Sequence, residues 1–162
     1  MNRVAITGIG IVAPEAVGIE PFRAMLDAGT TAVQPIDRFD TEGLAAHTAA
    51  LVRDFKARDY IPAMKMRRMN TLSRYGVAAA RMAIDDSAAK PASGSGVAIG
   101  TAFGPVQTSV DYMQEYVSRG PALAPPQLFA ESVANAPGSH IAIEFDLRGF
   151  NITMTQRESS LL

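Results

Sequence analysis

Apolar and polar positions along the chain change period several times, and each change marks an element. VAITGIGIVAP (Val4–Pro14) is a short apolar run entering a glycine turn, the pattern of a buried strand. IEPFRAMLDAG (Ile19–Gly29) predicts a helix, with Phe22, Met25 and Leu26 on one face and Gly29 as its stop. Val33 to Ala63 holds no sustained period and is broken by Pro35, Gly43 and Pro62. Lys65–Ala88 carries the strongest helical pattern, with Leu72, Tyr75, Ala79 and Met82 in a long apolar stripe. After a Gly/Ser-rich link, Gly96–Ala102 reads as a second buried strand. Val106–Gly120 reads as a helix, and Ser132–Phe145 as another despite Pro137 and Gly138. Phe150–Thr155 alternates like a third strand. Strands alternating with helices predict an α/β layer structure, a sheet flanked by helices. Three strands are few for such a sheet, so it reads as incomplete, to be finished by later sequence or by another chain.

Composition narrows the function. Of 162 residues, 48% are hydrophobic and 19% charged, as in ordinary globular proteins, and the net charge of −1 gives no global electrostatic case for nucleic acid or an anionic membrane. No apolar run approaches the roughly 20 residues that span a bilayer. The N-terminus lacks the apolar segment and cleavage site of a signal peptide, so a cytoplasmic location is the expectation. The chain has no cysteine, which excludes disulfides, thiolate metal sites and a cysteine nucleophile within it.

Gly8-Ile9-Gly10-Ile11-Val12-Ala13 has the form of a dinucleotide fingerprint, which keeps a nucleotide-binding α/β module open as an alternative. Pro14 follows at once and the helical pattern starts near Ile19, so a tight structural turn is the better reading. His47 and His140 have no ligand-spaced neighbours and read as structural, and Asp85-Asp86 reads as a solvated helix end. Lys65, Arg67 and Arg68 cluster at the start of the predicted long helix, where positive charge opposes the macrodipole. That hints at the docking of an acidic partner. Gly100–Pro105 breaks a strand with small residues around Phe103. Thr153–Ser160 is a strand-to-helix turn of the kind that presents nucleophiles, yet no base accompanies its serines.

RVAITGIGIVAP, PIDRFD, RRMNTLSRYGVAAARMA, VAIGTAFG and VANAPGSHIAIEFDLRGFNITMT follow one another in order. On these motifs the chain resembles the N-terminal half of the β-ketoacyl-acyl-carrier-protein synthases, condensing enzymes of the thiolase-like fold. The resemblance implies one ketosynthase-like domain over residues 1–162, half of a layered α/β fold with a mixed sheet, cut at the nucleophile elbow. The family's T-A-C run falls on Gln156, Arg157 and Glu158, so Glu158 occupies the cysteine position, and Ser160 matches the small residue two further on. The family's catalytic histidines and lysine belong to its other half. A carboxylate cannot replace a thiolate in thioester exchange, so no residue of this chain is expected to be catalytic. Chain-length-factor subunits, which lack the cysteine and pair with an active ketosynthase, are the nearest parallel. A fragment of an acyl-transferring 3-oxoacyl-[acyl-carrier-protein] synthase is the alternative.

The same resemblance implies further roles. Phe103 falls at a position lining the acyl pocket. Arg67 and Arg68 fall on the patch that docks the acidic acyl carrier protein, while the family's second basic pair is replaced by Ala122 and Leu123. His140 falls at a non-catalytic histidine. Asn151, Ile152, Thr153, Met154 and Thr155 fall on the strand that pairs across the dimer interface. The expected partners are a ketosynthase-family subunit, as homo- or heterodimer, and an acyl carrier protein. No cofactor, metal, nucleic acid or membrane is implied.

Overall fold

The computed structural model describes residues 3–161. The N-terminal apolar run does not form the expected buried strand. Residues 3–11 are in no strand, and Val4 and Ile6 are 94% and 85% exposed. A strand needs a ladder partner, and none of the described residues offers one to this segment. Only its end is ordered into pairing. There β1 (Val12–Ala13) turns through Glu15, at φ 59°, to meet β2 (Ala16–Val17) antiparallel. Helix α1 (Ile19–Asp27) follows, and Gly29 closes it in the left-handed region at φ 61°.

The segment expected to be irregular contains a small hairpin, β3 (Val33–Pro35) with β4 (Thr48–Ala50). Its three-residue strands are mostly exposed, so no apolar alternation announces them. Arg53 donates to Asp37 at 2.7 Å, and this hydrogen bond holds the Asp37 carboxyl below the usual carboxylate range.

The expected long helix is two helices. α2 (Ala63–Met66) ends at Arg67, and α3 (Thr71–Ser87) begins after Asn70. The break has a specific cause. Asn70 is extended, and its side-chain oxygen accepts the Ser73 amide at 2.8 Å, an N-cap that starts a new helix. Its amide nitrogen also donates to the Glu131 carbonyl at 2.8 Å. The basic cluster therefore does not sit at a long helix's positive end. Lys65 is in the last turn of α2, Arg67 caps it, and Arg68 lies in the link. The expected clash with the macrodipole is absent.

β5 (Val97–Gly100) runs into a turn and then α4 (Val106–Arg119). The last predicted helix starts later than expected, as α6 (Ala136–Glu144), and a helix the pattern did not announce, α5 (Pro126–Ser132), precedes it, with Val133 extended between them. β6 (Asn151–Met154) then pairs parallel with β5, Val97 opposite Asn151 and Gly100 opposite Met154. α6 lies across the pair. Gly138 permits this, because a Cβ there would stand 2.7 Å from Asn151 Oδ1.

The core sits between α3, α6 and β5. Ile61, Met69, Val77, Val97 and Ile141 are buried together, with Tyr60, Ile99, Phe145 and Leu147 against them. A buried carboxylate ties the rim of this core. Glu144, 7% exposed, accepts from Arg81 at 2.6 Å and Lys65 at 2.7 Å, while Arg81 also donates to the Tyr60 carbonyl at 2.9 Å.

The N-terminal glycines are explained by the same core. A Cβ on Gly8 would stand 2.0 Å from the Ala83 carbonyl oxygen, and one on Gly10 would stand 1.9 Å from that of Ala79. Both press the segment onto the backbone of α3, and the Ile9 amide donates to Asp86 at 2.9 Å. Asp86 is thus more than a solvated helix end. Gly10→Ala is expected to lower stability by about 1–3 kcal/mol through overpacking against a helix backbone that cannot yield. Urea denaturation of the two chains measures it, and an unchanged midpoint would contradict this packing.

Candidate functional site

In parallel sheets the carboxyl ends of the strands are where sites form, because the chain leaves the sheet there in loops free to vary. β5 and β6 end side by side. The Thr101 amide donates to the Met154 carbonyl at 3.0 Å, extending the ladder one step. Beyond it, Thr101–Pro105 turns into α4, with Gly104 at φ 67° and its amide bonded to Thr101 Oγ1 at 3.1 Å. Beyond β6, Thr155 and Gln156 lead to Arg157 at φ 53° and a short 3-10 turn over Arg157–Leu161. A left-handed arginine costs about 1–2 kcal/mol, so the elbow must be held by something else.

Ser160 holds it. This serine is 2% exposed. Its Oγ accepts from the Gln156 amide at 2.7 Å and lies 2.8 Å from the carbonyl oxygens of Thr101 and Arg157. One hydroxyl thus joins the two strand ends. Sequence reasoning saw here a small residue and a serine without a base; its bond to Thr101, 59 positions away, left no local signal.

Glu158 lies at the outside of this elbow, exposed. It is in no ion pair among the described residues. It lies in the first turn of the 3-10 segment Arg157–Leu161. Neither histidine bonds to the elbow. His47 lies 3.1 Å from Thr41 Oγ1 in the hairpin loop. His140 Nε2 lies 2.7 Å from Glu131 Oε1, and Glu131 Oε2 accepts the Asn70 amide at 2.9 Å. His140 therefore belongs to the bracket between α5, α6 and the start of α3. Among the described residues no cluster of three or more His, Asp or Glu side chains is placed to hold a metal.

Phe103, 68% exposed, lines an open apolar groove of about 860 Å³ along α4, with Val106, Val110, Met113 and Val117. Arg67 and Arg68 are exposed on a different flank. They share a depression of about 350 Å³ with Thr108 of α4 and Leu128 of α5. Leu123 is 68% exposed. On β6, Ile152 and Met154 are 51% and 42% exposed. The edge of β6 away from β5 has no strand partner among the described residues. Thr153 Oγ1 is buried without a hydrogen-bond partner. Gly8 and Gly10, the glycines of the fingerprint-like run, are closed against α3 and offer no open turn to a pyrophosphate.

The family profile described as "Beta-ketoacyl synthase, N-terminal domain" matches residues 1–162. The chain belongs to the β-ketoacyl synthase family. The 3-oxoacyl-[acyl-carrier-protein] synthase 2 of Vibrio cholerae is 29% identical over 158 residues, covering 95% of this chain and 38% of that protein. The chain thus spans well under half the length of such relatives. The solved ishigamide ketosynthase/chain length factor superposes with a TM-score of 0.76 at 31% identity, over 93% of this chain and 39% of that one. AntDE:AntF, a type II polyketide acyl carrier protein in complex with its ketosynthase, gives a TM-score of 0.67 at 18% identity, over 88% of this chain and 38% of that one. The fold is thiolase-like, and the domain described is an N-terminal ketosynthase domain. Among its described residues no helix is long and apolar enough to cross a membrane.

The elbow of this ketosynthase domain gives a direct test. Ser160→Ala leaves the Gln156 amide without its acceptor and the carbonyls of Thr101 and Arg157 without the one proton they share, a loss of about 1–3 kcal/mol. Hydrogen exchange should show faster exchange at Gln156 in the variant. Unchanged protection would mean that the hydroxyl does not hold the elbow.

Proposed function

We propose that this ketosynthase domain serves fatty-acid or polyketide synthesis as a non-condensing partner of an active ketosynthase, in the manner of a chain length factor. One observation carries the reading. The strand-to-turn elbow bears an exposed carboxylate at Glu158, and the chain contains no thiol. Thioester exchange needs a sulfur nucleophile that also leaves well, and a carboxylate supplies neither property under these conditions. Ser160 is no substitute, because its hydroxyl is buried and already committed to three backbone groups.

Other features support the same reading. The edge of β6, Asn151–Met154 with Thr155 just beyond it, has no second strand partner among the described residues and suits pairing with another ketosynthase-family subunit. The ring of Phe103 at the apolar groove suits a gate on an acyl chain. Arg67 and Arg68 suit an acidic acyl carrier protein. The alternative is an N-terminal domain of an acyl-transferring synthase, favoured by relatives such as the Vibrio cholerae 3-oxoacyl-[acyl-carrier-protein] synthase 2.

The purified chain, given acyl- and malonyl-loaded carrier protein, is expected to release no β-ketoacyl product by mass spectrometry. Measurable product would overturn the non-condensing reading. Co-expressed with a cysteine-bearing ketosynthase, the chain should co-elute with it by size exclusion, and a lone monomer under those conditions counts against the partner role. In such a complex Phe103→Ala should lengthen the longest product by at least about one two-carbon unit, since it opens the space of an aromatic side chain. An unchanged product distribution would remove Phe103 from the acyl path.

A further inference from the structure

Two cations converge on one buried carboxylate beside the basic cluster. Glu144, near the end of α6, has a side chain only 7% exposed. Its Oε1 accepts from Arg81 at 2.6 Å and its Oε2 from Lys65 Nζ at 2.7 Å. Arg81 is fixed from other sides as well. Its Nε donates to the Tyr60 carbonyl, and its guanidinium lies 5.1 Å from the centre of the Phe145 ring. Lys65 is 52% exposed and lies two residues before Arg67. By position and exposure it looks like the third docking cation of a ridge. Its ammonium differs from the two guanidiniums in one respect. Arg67 and Arg68 are in no ion pair among the described residues, while Lys65 is bound to a carboxylate that water barely reaches.

A buried carboxylate that loses one of its cations is left undercompensated, and that penalty is large compared with what a screened surface pair returns. Handing Lys65 to a partner's carboxylate would make that exchange. We propose that Glu144 is a positioning residue that withholds Lys65 from the ridge, so that an acidic partner is read by Arg67 and Arg68 alone. The inference rests on the carrier-docking reading only for the identity of the partner, an acidic acyl carrier protein. It also gives the ridge a preference. Two guanidiniums present planar forks that match carboxylates bidentately, which an ammonium does not.

The withheld lysine can be tested without any partner. The chain has three lysines, and Lys56 and Lys90 are exposed. Under limiting acetylation by an N-hydroxysuccinimide ester, mapped by mass spectrometry, Lys65 should react roughly threefold or more slowly than the other two. In Glu144→Gln it should approach their rate. Equal rates at all three sites in the unaltered chain would overturn the proposal.

Binding to a holo-acyl carrier protein at low salt supplies the second measurement. Arg67→Ala or Arg68→Ala should weaken affinity roughly two- to fivefold, while Lys65→Ala should change it by less than about twofold. Glu144→Gln should tighten binding roughly two- to fivefold and steepen its loss with added salt, and adding Lys65→Ala should remove that gain. A merely structural Glu144 would not raise affinity when altered. Lys65→Ala weakening binding as much as Arg68→Ala would overturn the proposal. Unaltered affinity in a folded Glu144→Gln chain would do the same. If Glu144→Gln does not fold, the Lys65→Ala and Arg68→Ala pair and the labelling of the unaltered chain decide. A chain that does not bind the carrier at all would sink the docking reading, and the labelling would then judge the withheld lysine alone.

Discussion

Parallel pairing of β5 with β6 constrains the rest of this chain. Two strands can run the same way only if the chain between them leaves the sheet and returns, and α4, α5 and α6 are that return path. α6 completes it by lying back across both strands, which it can do because Gly138 carries no side chain toward Asn151. The pairing also sets both carboxyl ends on one edge. Thr101 and Ser160 meet there, far apart in sequence, through a single 2.8 Å hydrogen bond. The Phe103 turn and the Glu158 elbow thus leave from neighbouring strand ends.

The packing behind that edge is thin. The buried cluster of Ile61, Met69, Val77, Val97 and Ile141 is small, while Val4, Ile6, Val117 and Phe150 are each more than 60% exposed. Exposed apolar surface of this extent marks places where a protein meets something else. It is found on the N-terminal segment, on α4 and around β6, and also at Met64 and Ile143 beside Lys65 and Arg68. The depression bearing Arg67 and Arg68 is thus mixed in charge, with Asp111 and Glu131 also lining it.

The sequence was legible where local chemistry decides structure. α1, α4, β5 and β6 lie close to where periodicity and Gly29 or Gly120 put them, because those stops act without distant partners. It misled where distant contacts decide. Val4–Ile11 has the pattern of a strand, but a strand exists only with a neighbour, and its glycines answer to α3 instead. The break at Asn70 was readable in principle as an Asn-Thr helix start, but the uninterrupted apolar stripe masked it. The hairpin of β3 and β4 was not readable, since its short exposed strands bury too little to leave a pattern. At the site, Glu158 was placed by likeness to a family motif, while the roles of Ser160 and Glu144 depend on partners far away in sequence.

The elbow keeps its shape through a single hydroxyl. Its geometry rests on Ser160, and neither Glu158 nor any thiol takes part. The left-handed Arg157 is tolerated because the Ser160 hydroxyl bonds on both sides of it, to the Gln156 amide and to the carbonyl of Arg157 itself. The position after that arginine projects from a turn already secured, so its side chain is free to vary in chemistry without cost to the fold. A carboxylate there is exposed and needs no burial compensation. The shape of the elbow and the chemistry of its exposed side chain are therefore physically separable. The strand edge and the apolar groove beside it depend on the first and not on the second.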